Sequence, residues 1–262
     1  NLTMKNSSKI YNISDKVVFV TGAGKGIGRA LIDSLLSKNV YVFALTKSRQ
    51  DLKDVKNKSN IKIFYGDVSN VKLIKRIFKL SEKNKKFINS VVNNAGIRQR
   101  KKFENIDNKS IQKIFKTNFF SIFEIMKIFS KFSVKHKLKS SIVNIGSIVG
   151  ENGFNELAGY SSTKGALKSL TKSFAVEYAK KNIRANIINP GFIKTSYYQD
   201  FKKKKSKLYK WTLERTPQGR WGEVSEIVNL IEFLISDESS YITGTNINVD
   251  GGWLSSWEKK TF

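Results

Sequence analysis

Residues 16–28 read KVVFVTGAGKGIG. The β-rich run at 16–21 ends on Thr21, and Gly22-Ala23-Gly24-Lys25-Gly26-Ile27-Gly28 leads straight into a helical pattern over 27–37. A glycine-rich turn from strand to helix directs unblocked backbone N–H groups and the positive helix end at an anion, so the stretch reads as a pyrophosphate cradle. Gly22 permits the tight turn, Gly26 lets the chain approach the phosphates, and Gly28 lets the helix pack close to the sheet. An ordinary glycine-rich turn would carry the same letters, so the decision rests on what surrounds them.

Outward from this turn, β-rich runs recur at 40–46 (VYVFALT), 61–65 (IKIFY), 88–92 (INSVV), 141–145 (SIVNI), 183–189 (IRANIIN) and 245–249 (TNINV). Helical patterns fill 71–80, 111–132, 160–179 and 223–234. Seven strands alternating with helices imply an α/β fold, a Rossmann-like doubly wound parallel sheet with helices on both faces. The chain has only two prolines, Pro190 and Pro217, and neither a repeat nor a Gly/Ser-rich linker, so all 262 residues are expected to form a single domain.

Composition narrows the chemistry. The chain is 40% apolar and 12% aromatic, enough to bury a core. No apolar run approaches the roughly 18 residues of a membrane helix, and the first fifteen positions lack a signal peptide's apolar stretch. A soluble, cytoplasmic protein is expected, with Met4 as a candidate start and residues 1–3 set aside from fold reasoning. Zero Cys and one His exclude thiol nucleophiles, Cys/His zinc sites and His-based triads. No metal is expected, and proton chemistry falls to Tyr, Lys, Ser, Asp or Glu. His136 itself reads as a surface residue without a role. The net charge is +27, but Lys outnumbers Arg 40 to 8 and is spread along the chain. Base readout and bidentate phosphate contacts favour Arg, so neither nucleic acid nor membrane is expected as a partner. The run KKKK at 202–205 reads as a solvated face.

The spacing Gly-x-x-x-Gly-x-Gly at 22–28 resembles the short-chain dehydrogenase/reductase family, and further motifs follow in that family's order. Asp67-Val68 follows the third β run, Asn93-Asn94-Ala95-Gly96 the fourth, and Asn118 lies inside the long helical pattern. Ser147 follows the fifth run, Tyr160-Ser-Ser-Thr-Lys164 comes next, and Pro190-Gly191-Phe192-Ile193-Lys194-Thr195 leaves the sixth. The resemblance spans about residues 16–252 and implies an enzyme that moves a hydride between a nicotinamide cofactor and a carbonyl or secondary alcohol. It implies a cofactor loop at Gly22, Lys25, Gly26, Ile27 and Gly28, an adenine contact at Asp67 and Val68, and a wall near the adenosine ribose at Asn94, Ala95 and Gly96. After the Pro190-Gly191 turn, the Ile193 backbone and the Thr195 hydroxyl would hold the carboxamide.

In NAD-preferring members of that family an acid ends the second strand and accepts the ribose hydroxyls. Here the run closes Thr46-Lys47-Ser48-Arg49 with no acid, while Lys25, Lys47 and Arg49 offer cations to a 2′-phosphate. NADP(H) is therefore the favoured cofactor and NAD(H) the alternative.

Hydride transfer to a carbonyl needs an acid at the oxygen that becomes negative. Tyr160 is the candidate. Lys164 lies one helical turn later on the same face, where its ammonium would pull the phenol down from about 10. The resemblance further implies that Lys164 bonds the nicotinamide ribose, that Ser147 holds the substrate oxygen, and that Asn118 holds a water linking Lys164 to solvent.

Specificity is expected in 149–159 and in an insertion at about 195–222 that can close as a lid. The stretches around Arg98-Gln-Arg100 and over 214–222 resemble those of sugar-acid oxidoreductases such as the gluconate 5-dehydrogenases. Arg98, Arg100, Glu151, Asn152, Asn155, Tyr197 and Trp211 are the candidate substrate residues, and a small sugar, sugar acid or polyol is the expected substrate. The core motifs fit a 3-oxoacyl-acyl-carrier-protein reductase equally. A non-catalytic NADP(H)-responsive binding protein would show a broken quartet, whereas Asn118, Ser147, Tyr160 and Lys164 are all present. The resemblance also implies a homotetramer whose helices at 111–132 and 160–179 pair with their mates, with a further contact from the tail at 251–262. Trp253, Leu254 and Trp257 in that tail would be costly to expose in a monomer.

Overall fold

The computed structural model describes residues 11–55, 58–196 and 198–255. Seven strands, β1 (Val17–Thr21), β2 (Tyr41–Thr46), β3 (Ile61–Tyr65), β4 (Ser90–Asn93), β5 (Ser140–Ile145), β6 (Ile183–Pro190) and β7 (Asn246–Val249), form one sheet in the order β3-β2-β1-β4-β5-β6-β7. Every neighbouring pair is parallel. Strand order reverses direction between β1 and β4, which opens a crevice beyond their C-terminal ends, where Thr21 pairs with Asn93.

Side chains alternate across the pleat, so β1 sends Val18 and Val20 to one face and Phe19 to the other. The first face is covered by α1 (Gly26–Ser37) and α8 (Val224–Ile235), through Leu31, Ile32 and Leu35 on one and Ile227, Val228 and Ile231 on the other. The second is covered by α2 (Val71–Lys83), α4 (Ser121–Lys135) and α5 (Ala158–Tyr178), with Phe78, Phe129 and Leu167 among the packed side chains. Both faces being buried explains why the strands read as nearly continuous apolar runs.

Several expectations are refined. The single long helix over 111–132 is instead α3 (Asn108–Phe115), a π-helical turn (Lys116–Phe120) and α4. The wide turn holds Asn118 as its buried residue, with its amide on the Ile97 backbone. The insertion at 195–222 contains two short helices, α6 (Tyr198–Lys204) and α7 (Ser206–Arg215), and the lysines of 202–205 lie on their exposed side. Trp253 is only 2% exposed, packed within its own chain against Phe154, Phe192 and Trp211, so it needs no partner subunit to cover it. Trp257 lies outside the described residues. His136 is also less free than expected: its ring sits between Phe87 and Phe132, and Nε2 is 3.2 Å from Glu82. Among the described residues no helix is long and apolar enough to cross a membrane.

Candidate active site

Two cavities meet at the C-terminal edge of the sheet. The first, about 400 Å³, runs from the glycine turn across the ends of β2 and β3. Gly22 has φ +62°, and a Cβ there would fall 2.8 Å from the Ala95 Cα. At Gly28 a Cβ would lie 2.2 Å from the Gly22 carbonyl oxygen, so α1 can start this close to β1 only with glycine in place. The turn is braced from β4: Asn94 Nδ2 donates to the Gly22 carbonyl at 2.9 Å, and the Asn94 and Ala95 amides both donate to the Thr21 hydroxyl at 3.1 Å. Asn94 is thus engaged in shaping the loop, while Ala95 and Gly96 line the cavity. A backbone cradle at a helix start, beside a cleft of about 400 Å³ that crosses the strand ends, fits a dinucleotide.

At the far end Thr46, Lys47, Asp67 and Val68 line the wall as expected, with Lys25 on the opposite lip. Arg49 does not: its guanidinium stacks over the Tyr65 ring at 5.6 Å, which turns it away from the cavity. Lys113, Lys116 and Thr117 form a wall that the sequence reading missed, as did Asp51.

The second cavity, about 270 Å³, holds Ser147 and Tyr160 at its base. Ser147 follows β5 and Tyr160 lies in the first turn of α5, with the Ser147 side chain near enough to the phenol to favour its ionised form. Burial pushes the Tyr160 phenol up, while the Arg98 charge and the Ser147 side chain pull the other way without overcoming it. The expected lowering by Lys164 is therefore not what this cavity produces on its own. Lys164 is itself buried, donates from Nζ to the Ile145 carbonyl at 2.7 Å, and is pushed down to about 8 by desolvation. Its Nζ stands 5.7 Å from the Tyr160 ring centre. Asn118 is fully buried, and its amide is bonded both ways to the Ile97 backbone, accepting at 2.8 Å and donating at 2.9 Å. It thereby fixes the segment that carries Gly96 and Arg98.

Ile27, Pro190, Gly191, Ile193 and Thr195 line the second cavity, between the glycine turn and Tyr160. Gly26 sits beside the Thr195 side chain, at 3.3 Å for an added Cβ. Arg98, Arg100 and Trp211 line this cavity as expected, and Tyr197 lies outside the described residues. Arg100 is 3.4 Å from Glu156. Most of the remaining wall is apolar: Ile148, Val149, Phe154, Phe192, Phe201, Leu208 and Trp221. Trp221 anchors the insertion, its Nε1 donating to Thr212 at 2.7 Å while Tyr198, Phe201 and Tyr209 surround its ring.

Glu151, Asn152 and Asn155 do not line it. Phe154 turns inward onto Trp253, which leaves Asn152 and Asn155 exposed on the loop. Glu151 points into a polar network instead, receiving Lys168 at 2.5 Å, Asn246 at 2.8 Å and Asn189 at 3.3 Å. Asn189 Oδ1 in turn accepts from the Ser147 amide at 3.2 Å. No spacing rule in the sequence points to this link.

A family model described as enoyl-(acyl carrier protein) reductase matches residues 22–254. The 3-oxoacyl-[acyl-carrier-protein] reductase FabG of Buchnera aphidicola is 34% identical over 244 residues, covering 92% of this chain and 98% of that one. A provisionally assigned gluconate dehydrogenase of Agrobacterium tumefaciens has a solved structure that superposes with a TM-score of 0.88 at 30% identity, over 95% of this chain and 99% of its own. ElxO with NADP bound gives 0.86 at 30% identity, over 92% and 99% of the two chains. For 4-hydroxyisoleucine dehydrogenase complexed with NADH the values are 0.87 and 33%, over 92% and 100%.

Proposed function

The chain belongs to the short-chain dehydrogenase/reductase family, an oxidoreductase of carbonyl and alcohol pairs, and on that premise we propose that it uses NADP(H) in preference to NAD(H) on a small polar substrate, a sugar acid or related polyol. The observation that carries the substrate reading is Arg98, which lines the cavity close enough to Tyr160 for its charge to act on the phenol. An anionic group held by Arg98 sits near the carbonyl that Tyr160 serves. A cavity of about 270 Å³ suits a substrate of that size, and its aromatic walls can cover the C–H faces of a sugar chain.

In this reading Tyr160 gives its proton to the carbonyl oxygen during reduction and takes it back during oxidation. Burial holds the phenol above its ordinary value, so it is protonated and ready to act as an acid at neutral pH. Ser147 hydrogen bonds the same substrate oxygen and fixes it against the phenol. Lys164, charged below about pH 8, favours the phenolate as the proton leaves. A bound nicotinamide cofactor would supply or accept the hydride. Gly22 and Gly28 would shape the cradle for its phosphates, and Ile193 and Thr195, which line the cavity, would hold its carboxamide.

A 3-oxoacyl-acyl-carrier-protein reductase is the second reading, favoured by the apolar cavity wall and the relative from Buchnera. Turnover with NADPH and NADH over keto-acids, ketoses and acetoacetyl thioesters separates them. A clear preference for an anionic sugar substrate is expected, and acetoacetyl thioesters outrunning every sugar would replace the first reading with the second. We assign a homotetramer to the same chain. Phe120 on the π-helical turn, Phe123 on α4 and Val176 on α5 are 56%, 43% and 82% exposed, apolar surface that pairing of these elements would cover. Light scattering at micromolar concentration should give four protomers, and a monomer mass would refute it.

A further inference from the structure

No acid ends β2 in the sequence, yet the folded chain puts one there. After Arg49 the backbone turns back, and the Asp51 carboxylate comes to rest on Thr46, whose hydroxyl donates to Oδ2 at 2.7 Å. Asp51 also lies beneath the glycine turn, where a Cβ on Gly24 would fall 2.4 Å from it. Its side chain is 11% exposed and lines the same cavity as Thr46, Lys25 and Lys47. Both lysines available to a 2′-phosphate already face acids: Lys25 Nζ is 3.6 Å from Asp51, and Lys47 Nζ is 3.2 Å from Asp67.

We propose that Asp51 is a cofactor-selectivity residue, whose fixed carboxylate opposes a 2′-phosphate and so narrows the preference for NADP(H) over NAD(H). The inference rests on the dinucleotide reading above and concerns its adenosine end alone. A fixed carboxylate repels a phosphate. The asymmetry in mobility sets the sign. Lys25 is 76% exposed and can swing between two anions, whereas Asp51 is tethered by Thr46 and packed under Gly24, so it cannot withdraw. Removing its charge while keeping its shape therefore strengthens binding of the phosphorylated form and leaves the hydroxyl form almost unchanged.

Asp51→Asn keeps both the volume and an oxygen for Thr46, and Asp51→Ser is a smaller neutral variant acting in the same direction. Calorimetric titration with 2′,5′-ADP and 5′-AMP reads the adenosine end without turnover. We expect 2′,5′-ADP to bind about tenfold tighter to either variant at low salt, with 5′-AMP changed by less than about threefold. Equal shifts for the two ligands, or an unchanged 2′,5′-ADP affinity in both variants, would overturn the role of Asp51 and leave the cofactor reading standing. If the parent chain binds neither ligand nor NADPH, the cofactor reading itself is wrong and Asp51 falls with it.

Discussion

The two cavities at the C-terminal edge of the sheet are made of different material. The nucleotide half is built around backbone: a turn with four glycines, the open ends of the strands, and the Asn94 brace that holds Gly22 in place. The substrate half is mostly side chain, drawn from the loops after β4, β5 and β6 and from α6 and α7. Backbone cradles are fixed by where side chains must be missing, which a sequence states outright. A side-chain wall depends on which rotamer each residue takes in the packed state, and a sequence does not state that.

The sharpest break between the halves is at Tyr160 itself. Tyr160→Phe removes the acid and leaves the glycine turn untouched, so turnover should fall by more than about 1,000-fold while NADPH affinity stays within about threefold. Residual activity within about tenfold of the parent would sink the assignment. The parent's pH profile offers a companion test. Desolvation lowers Lys164 to about 8, so its charge is present below that pH and lost as pH rises through it. Carbonyl reduction, which leaves a phenolate behind, should slow on that rise.

Next in size is a change confined to the nucleotide half. A Cβ at position 28 would lie 2.2 Å from the Gly22 carbonyl and 2.6 Å from Asn94 Nδ2, neither of which is a flexible side-chain tip. Gly28→Ala should therefore weaken NADPH binding by about 100-fold and lower the unfolding midpoint, since overpacking costs about 1–3 kcal/mol. Binding and melting unchanged by the alanine would mean that α1 does not depend on this close approach.

The same contrast explains what was legible in the sequence. The sheet, its order of chemistry-bearing turns, and the gathering of Ser147, Tyr160 and Lys164 follow from strand spacing and one helical turn. Asp51 was missed because it reaches Thr46 by a reversal of the chain after Arg49, and no pattern in TKSRQD announces that reversal. Arg49 was misplaced because Tyr65, on a neighbouring strand, offers its guanidinium a ring face. The polar letters at 151, 152 and 155 suggested a polar wall, but Phe154 takes the inward position and sends its neighbours out.

Arg98 tests the substrate half with a mid-sized effect. Arg98→Ala should raise KM for a carboxylated sugar by about 10- to 150-fold, equivalent to a charge-assisted hydrogen bond of about 1.5–3 kcal/mol, and should barely change KM for a neutral polyol. Equal losses on both substrates would show that Arg98 supports the cavity without reading the anion.

Glu151 gives the smallest effect and the finest discrimination, because the sequence and the structure assign it different work. Were it a substrate ligand, Glu151→Gln would shift KM with the polarity of the substrate. In the structure its Oε1 receives Asn189 and Asn246, its Oε2 faces Lys168, and Asn189 passes the constraint to the Ser147 amide. Glutamine keeps an acceptor for the two asparagines and loses the ion pair with Lys168, an interaction worth about 0.5–1 kcal/mol at this partial exposure. The expected result is a fall of about two- to fivefold in kcat, with KM unchanged for charged and neutral substrates alike. Burial pushes the Glu151 carboxyl up, but the bonds from Lys168 and Asn246 bring it below its ordinary value, so it is ionised at neutral and alkaline pH. The loss should accordingly be the same at pH 6 and pH 8. A KM effect limited to anionic substrates would return Glu151 to the cavity wall, and with it the polar pocket that the sequence suggested.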